Sequence, residues 1–127
     1  MGIKFKIIER SEPGVAGGGN KKFYASAKMT ETVDIDQLTT SIEKISTVSG
    51  ADIRAVLYAL LDVAMDELAN SKIVRLGDIG SLKVSVHSNG YETADEVKTD
   101  AIKGSKVVFY PGKKLREMQK TLTYQKA

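Results

Sequence analysis

Eight charged side chains lie between Lys103 and the C-terminus, and seven are cations: Lys103, Lys106, Lys113, Lys114, Arg116, Lys120 and Lys126, against Glu117 alone. The whole chain carries a formal net charge of only +3, so this is a local concentration. Clustered ammonium and guanidinium groups bind phosphates electrostatically, without reading bases. The segment just before has the opposite sign, with Glu92, Asp95, Glu96 and Asp100 against Lys98. Charge sorted in this way is what a polyanion binder needs. Lys113, Lys114 and Arg116 follow Pro111-Gly112, where a helix can begin. Backbone N–H groups at a helix start attract anions, and cations sit there unfavourably unless an anion joins them. The competing reading of every one of these cations is a solvated surface.

Other chemistry finds little footing. There is no cysteine, hence no disulfide framework and no thiolate site. His87 is the only histidine, and no cluster beside it in the sequence supplies a base partner or a metal shell. Asp95-Glu96 reads as an exposed acidic loop. Gly17-Gly18-Gly19 with Lys21-Lys22 lacks the Gly-Lys-Ser/Thr ending of a phosphate loop and reads as a flexible hairpin tip. The tyrosines do not interleave with cations along one strand, which argues against a single-strand stacking platform. The expectation is a non-enzymatic protein with no cofactor, no metal and no small-molecule substrate.

The elements that must hold these residues follow from periodicity. Ile3, Phe5 and Ile7 alternate with Lys4 and Lys6 as in a half-buried strand. After a Gly-rich loop from Ser11 to Asn20, residues 22–28 return as the second strand of a hairpin. Asp34 and Gln37 have capping-box spacing before Ile35, Leu38, Ile42 and Ile45, an apolar stripe at helical spacing. Ser49 to Asp52 supplies a second capping box. The helix after it, with Ile53, Val56, Leu57, Leu60, Leu61, Ala64 and Leu68, is apolar over more than one partner helix would cover, so a second subunit is expected against it. Asn70-Ser71 ends it. Ile73 to Leu76 and Leu82 to Val86 read as strands around the Gly77-Asp78 and Gly80 turn. A polar stretch over 88–105 leads to a strand at Lys106–Tyr110. Pro111-Gly112 stops it, and Leu115, Met118 and Leu122 mark a short basic C-terminal helix. The fold class is α+β: a helix pair, a three-stranded antiparallel sheet and a short C-terminal helix, preceded by an N-terminal β-hairpin.

Three stretches resemble the bacterial HU and integration host factor family of histone-like DNA-binding proteins. Thr47-Val48-Ser49-Gly50-Ala51-Asp52-Ile53 looks like the family's turn between its first two helices. Val74-Arg75-Leu76-Gly77-Asp78-Ile79-Gly80-Ser81-Leu82-Lys83-Val84 is similar to its glycine-turned hairpin. Phe109-Tyr110-Pro111-Gly112-Lys113-Lys114-Leu115-Arg116 resembles its junction into the last helix. The likeness runs from about Asp34 onward, and the N-terminal strands with Ser88-Asn89-Gly90-Tyr91-Glu92-Thr93 look like a divergent Bacteroides-type branch. It implies an intertwined homodimer whose sheet face and arms meet duplex DNA. The family's arm tip carries a proline that wedges between base pairs. Here the only prolines are Pro13 and Pro111, the arm region is acidic, and His87 stands where an arginine is usual.

Placing Leu82, Val84 and Val86 toward the helices puts Lys83, Ser85 and His87 on the other face, with Lys106 and Arg75 beside them. On the resemblance, the DNA-binding residues are Arg75, Lys83, Lys103, Lys106, Lys113, Lys114 and Arg116. Residues 1–33 are expected as an N-terminal strand extension and 34–127 as an HU-like DNA-binding domain, forming one structural domain. The expected function is sequence-tolerant binding of double-stranded DNA by an architectural homodimer in the cytoplasm, at the nucleoid. The alternative is an HU-like dimeric protein-interaction module that has lost most DNA binding. No apolar run approaches the roughly 20 residues of a membrane helix, so no membrane partner is expected. The charged start Met1-Gly-Ile-Lys-Phe-Lys reads as mature protein and not as a signal peptide.

Overall fold

A computed structural model describes residues 2–127. Its elements in chain order are β1 (Ile3–Ser11), β2 (Lys21–Ala27), α1 (Ile35–Ile45), α2 (Gly50–Ala69), β3 (Val74–Arg75), β4 (Gly80–Ser88), β5 (Ile102–Pro111), α3 (Lys113–Lys120) and β6 (Tyr124–Lys126). They fall into two compact units, Met1–Val33 with Met118–Ala127, and Asp34–Glu117, the division passing through α3. No helix among the described residues is long and apolar enough to cross a membrane.

In the first unit β1 and β2 form the expected antiparallel hairpin, with Phe5 opposite Ala27 and Ser11 opposite Lys21. The expectation that the chain ends on a helix needs correction. Helix α3 stops at Lys120, where the Thr121 hydroxyl and amide both donate to the Met118 carbonyl. Leu122 therefore lies outside it, and the chain returns as β6, parallel to β1. Three residues are too few to show a period-two pattern. What places them is the open edge of β1: the Ile3 amide donates to the Thr123 carbonyl (2.8 Å) and the Ala127 amide to the Phe5 carbonyl (2.9 Å). The hairpin is thus a three-stranded sheet in the order β2-β1-β6.

In the second unit Asp34 caps α1 with a reciprocal box, its carboxylate accepting from the Gln37 amide while the Gln37 side chain accepts from the Asp34 amide. Ser49 caps α2 more simply, accepting from the Asp52 amide at 3.3 Å without the returning bond of a full box. The α1 stripe is not buried as a whole. Ile35 and Ile42 are half-buried, Leu38 is exposed and Ile45 is 87% exposed. The fully buried residue is Thr39, whose hydroxyl donates to the Ile35 carbonyl (2.7 Å) and so enters the helix contact without an unsatisfied group. Across from α1, Ile53 and Ala64 of α2 are buried.

Strands β3, β4 and β5 make the expected three-stranded antiparallel sheet. Strand β5 begins at Ile102, four residues before its expected start at Lys106. The polar excursion folds into two short 3₁₀ turns, Ala94–Glu96 and Thr99–Ala101, closed by a bond from the Asn89 amide to the Ala101 carbonyl. The inner face of the sheet is less covered than alternation suggests. Leu82 is half-buried, but Val84 is 39% and Val86 61% exposed, because α2 reaches only one part of the sheet.

Candidate functional site

Side chains of directly opposed residues in an antiparallel ladder share a face. Leu82 faces Phe109 and Val84 faces Val107, which assembles the apolar inner face. On the other face Arg75 lies opposite Ser81, Ser81 opposite Tyr110, Lys83 opposite Val108, Ser85 opposite Lys106 and His87 opposite Gly104. No carboxylate stands on any of these outer-face strand positions, although residues 34–117 hold thirteen. Lys83 and Lys106 are diagonal neighbours, roughly 7–8 Å apart at the backbone.

Tyr110 is an addition to the expected set. The Lys83 ammonium lies 5.2 Å from the centre of its ring, a cation–π contact that steadies the long side chain while leaving it charged. Neither residue signals the other in the sequence. Only the register, which sets Tyr110 two places from the partner of Lys83, brings them together. Arg75, Ser81, Lys83 and Tyr110 also border one shallow concavity.

Lys103 sits at an irregularity. His87 pairs with Gly104 but Ser88 pairs with Ile102, so Lys103 is the extra residue of a bulge. Bulges re-aim side chains, and Lys103 lines a second open concavity with Ser85, His87 and Lys106. Lys113, Lys114 and Arg116 lie in the first turns of α3, which has no acidic residue in its first turn. They are not on the sheet face. Gly80 pairs with Pro111, so α3 starts just past one end of the β4–β5 ladder, while Lys103 is at the other end, about 26 Å away at strand rise. The expected cations therefore form a track along the sheet with a cluster beyond one end. Within this set, the one ion pair among the described residues joins Lys114 to Asp78 at 3.9 Å, between exposed groups.

Two glycines hold the junction. The Gly112 amide donates to the Ile79 carbonyl (2.9 Å), and the Arg116 amide donates to the Gly112 carbonyl to open α3. A Cβ on Gly112 would collide with the Asp78 carbonyl. Gly80, at φ +147°, would drive a Cβ into the Tyr110 carbonyl and the Phe109 ring. Backbone passes so close to backbone here that only glycine fits. Among the described residues no group of three or more His, Cys, Asp or Glu is gathered to hold a metal.

The family model HU-HIG, described as an HU domain fused to wHTH, Ig, or Glycine-rich motif, matches residues 1–126. Among solved structures, the chain is similar to a candidate bacterial DNA-binding protein from Bacteroides vulgatus ATCC 8482, with a TM-score of 0.67 and 15% identity. The match covers 98% of this chain and 47% of that one, so the chain spans about half the length of that relative. At this identity the likeness speaks for the fold. No curated protein sequence matches the chain.

Proposed function

The chain belongs to the HU-HIG family, and from that premise we propose that it binds double-stranded DNA without strong sequence preference, as an architectural homodimer. The observation that carries this reading is the carboxylate-free outer face of β3–β4–β5, where Arg75, Lys83 and Lys106 stand together. Such a face neutralises phosphates and releases counterions, and it has no rigid array of paired donors and acceptors for reading base edges. Lys103 extends the track at one end, and Lys113, Lys114 and Arg116 extend it at the other. The relative from Bacteroides vulgatus, described as a candidate DNA-binding protein, agrees with this reading. Residues 34–127 are taken as the DNA-binding domain and 1–33 as a strand extension. The site of action is the nucleoid, in the cytoplasm.

Exposed apolar surface supports the dimer. The chain exposes 10580 Å², whereas a compact monomer of its mass exposes roughly 6,600 Å², and its two units counted as separate bodies about 8,000 Å². The excess is of the size buried at obligate dimer interfaces. Much of it is apolar: Val56, Leu60 and Val63 form a second stripe on α2, exposed in the single chain, with Leu61 and Met65 beside it. Burial against a second copy is worth about 1.5–3 kcal/mol for each such side chain.

An anisotropy titration with a duplex of about 35 base pairs at several salt concentrations tests the proposal, since affinity then falls steeply and linearly on a log–log scale. No binding at low salt overturns it. Binding that is insensitive to salt, or that discriminates strongly among sequences, overturns the phosphate-contact mechanism.

A further inference from the structure

The N-terminal sheet has two unlike faces. Counting by register, Ile3, Phe5, Ile7, Phe23, Ala25 and Tyr124 share one of them with the charged Glu9, Lys21 and Lys126. The other presents Lys4, Lys6, Arg10, Lys22 and Lys28, with Ile8, Tyr24 and Ser26 between them. All five cations are exposed, whereas Ile8, Tyr24 and Ser26 are half-buried. We propose that this cationic face of β1 and β2 is a second phosphate-binding surface, which takes the backbone of duplex DNA in addition to the β3–β4–β5 face. The inference rests on the DNA-binding reading above and names a site outside it.

Charge placement is the first argument. Arg10 lies directly opposite Lys22, and Lys28, whose amide donates to the Lys4 carbonyl at 2.8 Å, lies opposite Lys4. Like charges directly across a ladder destabilise it. Among the described residues, two such pairs on one small sheet are offset inside the unit by the ion pair of Lys22 with Glu12 and by the contact of Arg10 with the Tyr24 ring. A polyanion laid across the face relieves both. The unit as a whole, Met1–Val33 with Met118–Ala127, holds eight cations and three carboxylates, a net +5.

The second argument selects the occupant. A membrane surface engages cations and apolar anchors on the same side. Here the exposed apolar groups of the sheet, Phe23, Ile7 and Tyr124, are on the opposite face from the five cations, beside Lys21, Lys126 and Glu9, so the five-cation face itself offers no apolar anchor. Single-stranded nucleic acid requires free aromatic faces for stacking. The only aromatic ring on the cationic face, Tyr24, is half-buried and has the Arg10 guanidinium 5.6 Å from its centre. Flexible, exposed ammonium groups with no accessible stacking ring suit duplex phosphates.

The test compares Lys4→Gln/Lys6→Gln/Lys28→Gln with Arg75→Gln/Lys83→Gln/Lys106→Gln in salt titrations on the same duplex. Loss of three phosphate contacts flattens the slope of log K against log salt by about 2.7. The inference expects each triple variant to lose that much. A wild-type slope in the first variant, with a flattened slope in the second, overturns the second surface and leaves the DNA-binding reading intact. No duplex binding by the wild-type protein overturns both. Lysine acetylation of the unaltered protein, with and without duplex, gives a readout independent of variant folding: protection of Lys4, Lys6 and Lys28 supports the surface, and unchanged reactivity overturns it. Protection by phosphatidylserine vesicles in place of duplex likewise overturns it, in favour of a membrane surface.

Discussion

The two compact units carry opposite net charge. Residues 1–33 with 118–127 stand at +5, eight cations against three carboxylates, whereas residues 34–117 hold eleven cations against thirteen carboxylates, a net −2. Yet both present a cationic sheet face. In the first unit strand alternation alone sorts the charges, because lysines and apolar residues take turns along β1. In the second, carboxylates outnumber cations overall and the face is clean because β3, β4 and β5 contain no Asp or Glu at all, the carboxylates of this unit lying on its helices and loops. Net charge is a poor guide to a binding face; which elements the charges fall on is a better one.

Assembly gives the largest expected contrast between the units. Leu60→Asp/Val63→Asp on α2 removes apolar burial and adds charge at the proposed interface, and costs roughly 4 kcal/mol or more of association. Sedimentation should report a monomer and duplex affinity should fall at least about 100-fold, since each subunit then binds alone. Phe23→Asp, at a side chain 72% exposed in the first unit, should leave sedimentation unchanged. The reverse pattern would move the interface to the N-terminal sheet.

Backbone strain separates the units next. Gly80→Ala meets backbone and an aromatic ring at positive φ and should cost about 3 kcal/mol in thermal unfolding, whereas Gly17→Ala, at φ +76° in open space, should cost about 1 kcal/mol. Similar costs would mean that the β4–α3 junction yields more readily than its packing indicates. The smallest contrast is electrostatic. Glu12→Gln frees Lys22 and Asp78→Asn frees Lys114, and each should raise duplex affinity about two-fold at low salt, as expected for exposed pairs. A gain from only one of the two would locate the more heavily used phosphate surface.

Much of the second unit was legible in the chain. Asp34 with Gln37 announced the start of α1 because a capping box needs only local spacing, and the Gly77–Gly80 turn and Pro111-Gly112 junction announced themselves through residues with unusual backbone demands. The early start of β5 was hidden, because Ile102 to Ser105 carries no apolar alternation and is recruited by pairing with β4. Thr39 was passed over as a core residue because its burial depends on a hydroxyl bond to the turn before it.

The order of elements, the caps, the glycine-held turns and the alternation of Lys4 and Lys6 with Ile3, Phe5 and Ile7 were determined by the sequence alone, since each is a contest among neighbours within a few residues. The tertiary structure decided which cations share a face. Lys83 meets Tyr110 and lies diagonal to Lys106 only through the register of β4 and β5, and Lys103 lines a concavity with Ser85, His87 and Lys106 at a bulge that shifts that register. The return of Tyr124–Lys126 to β1 belongs to the same class. A strand edge offers hydrogen bonds to whatever segment reaches it, and nothing in three residues says which edge that will be.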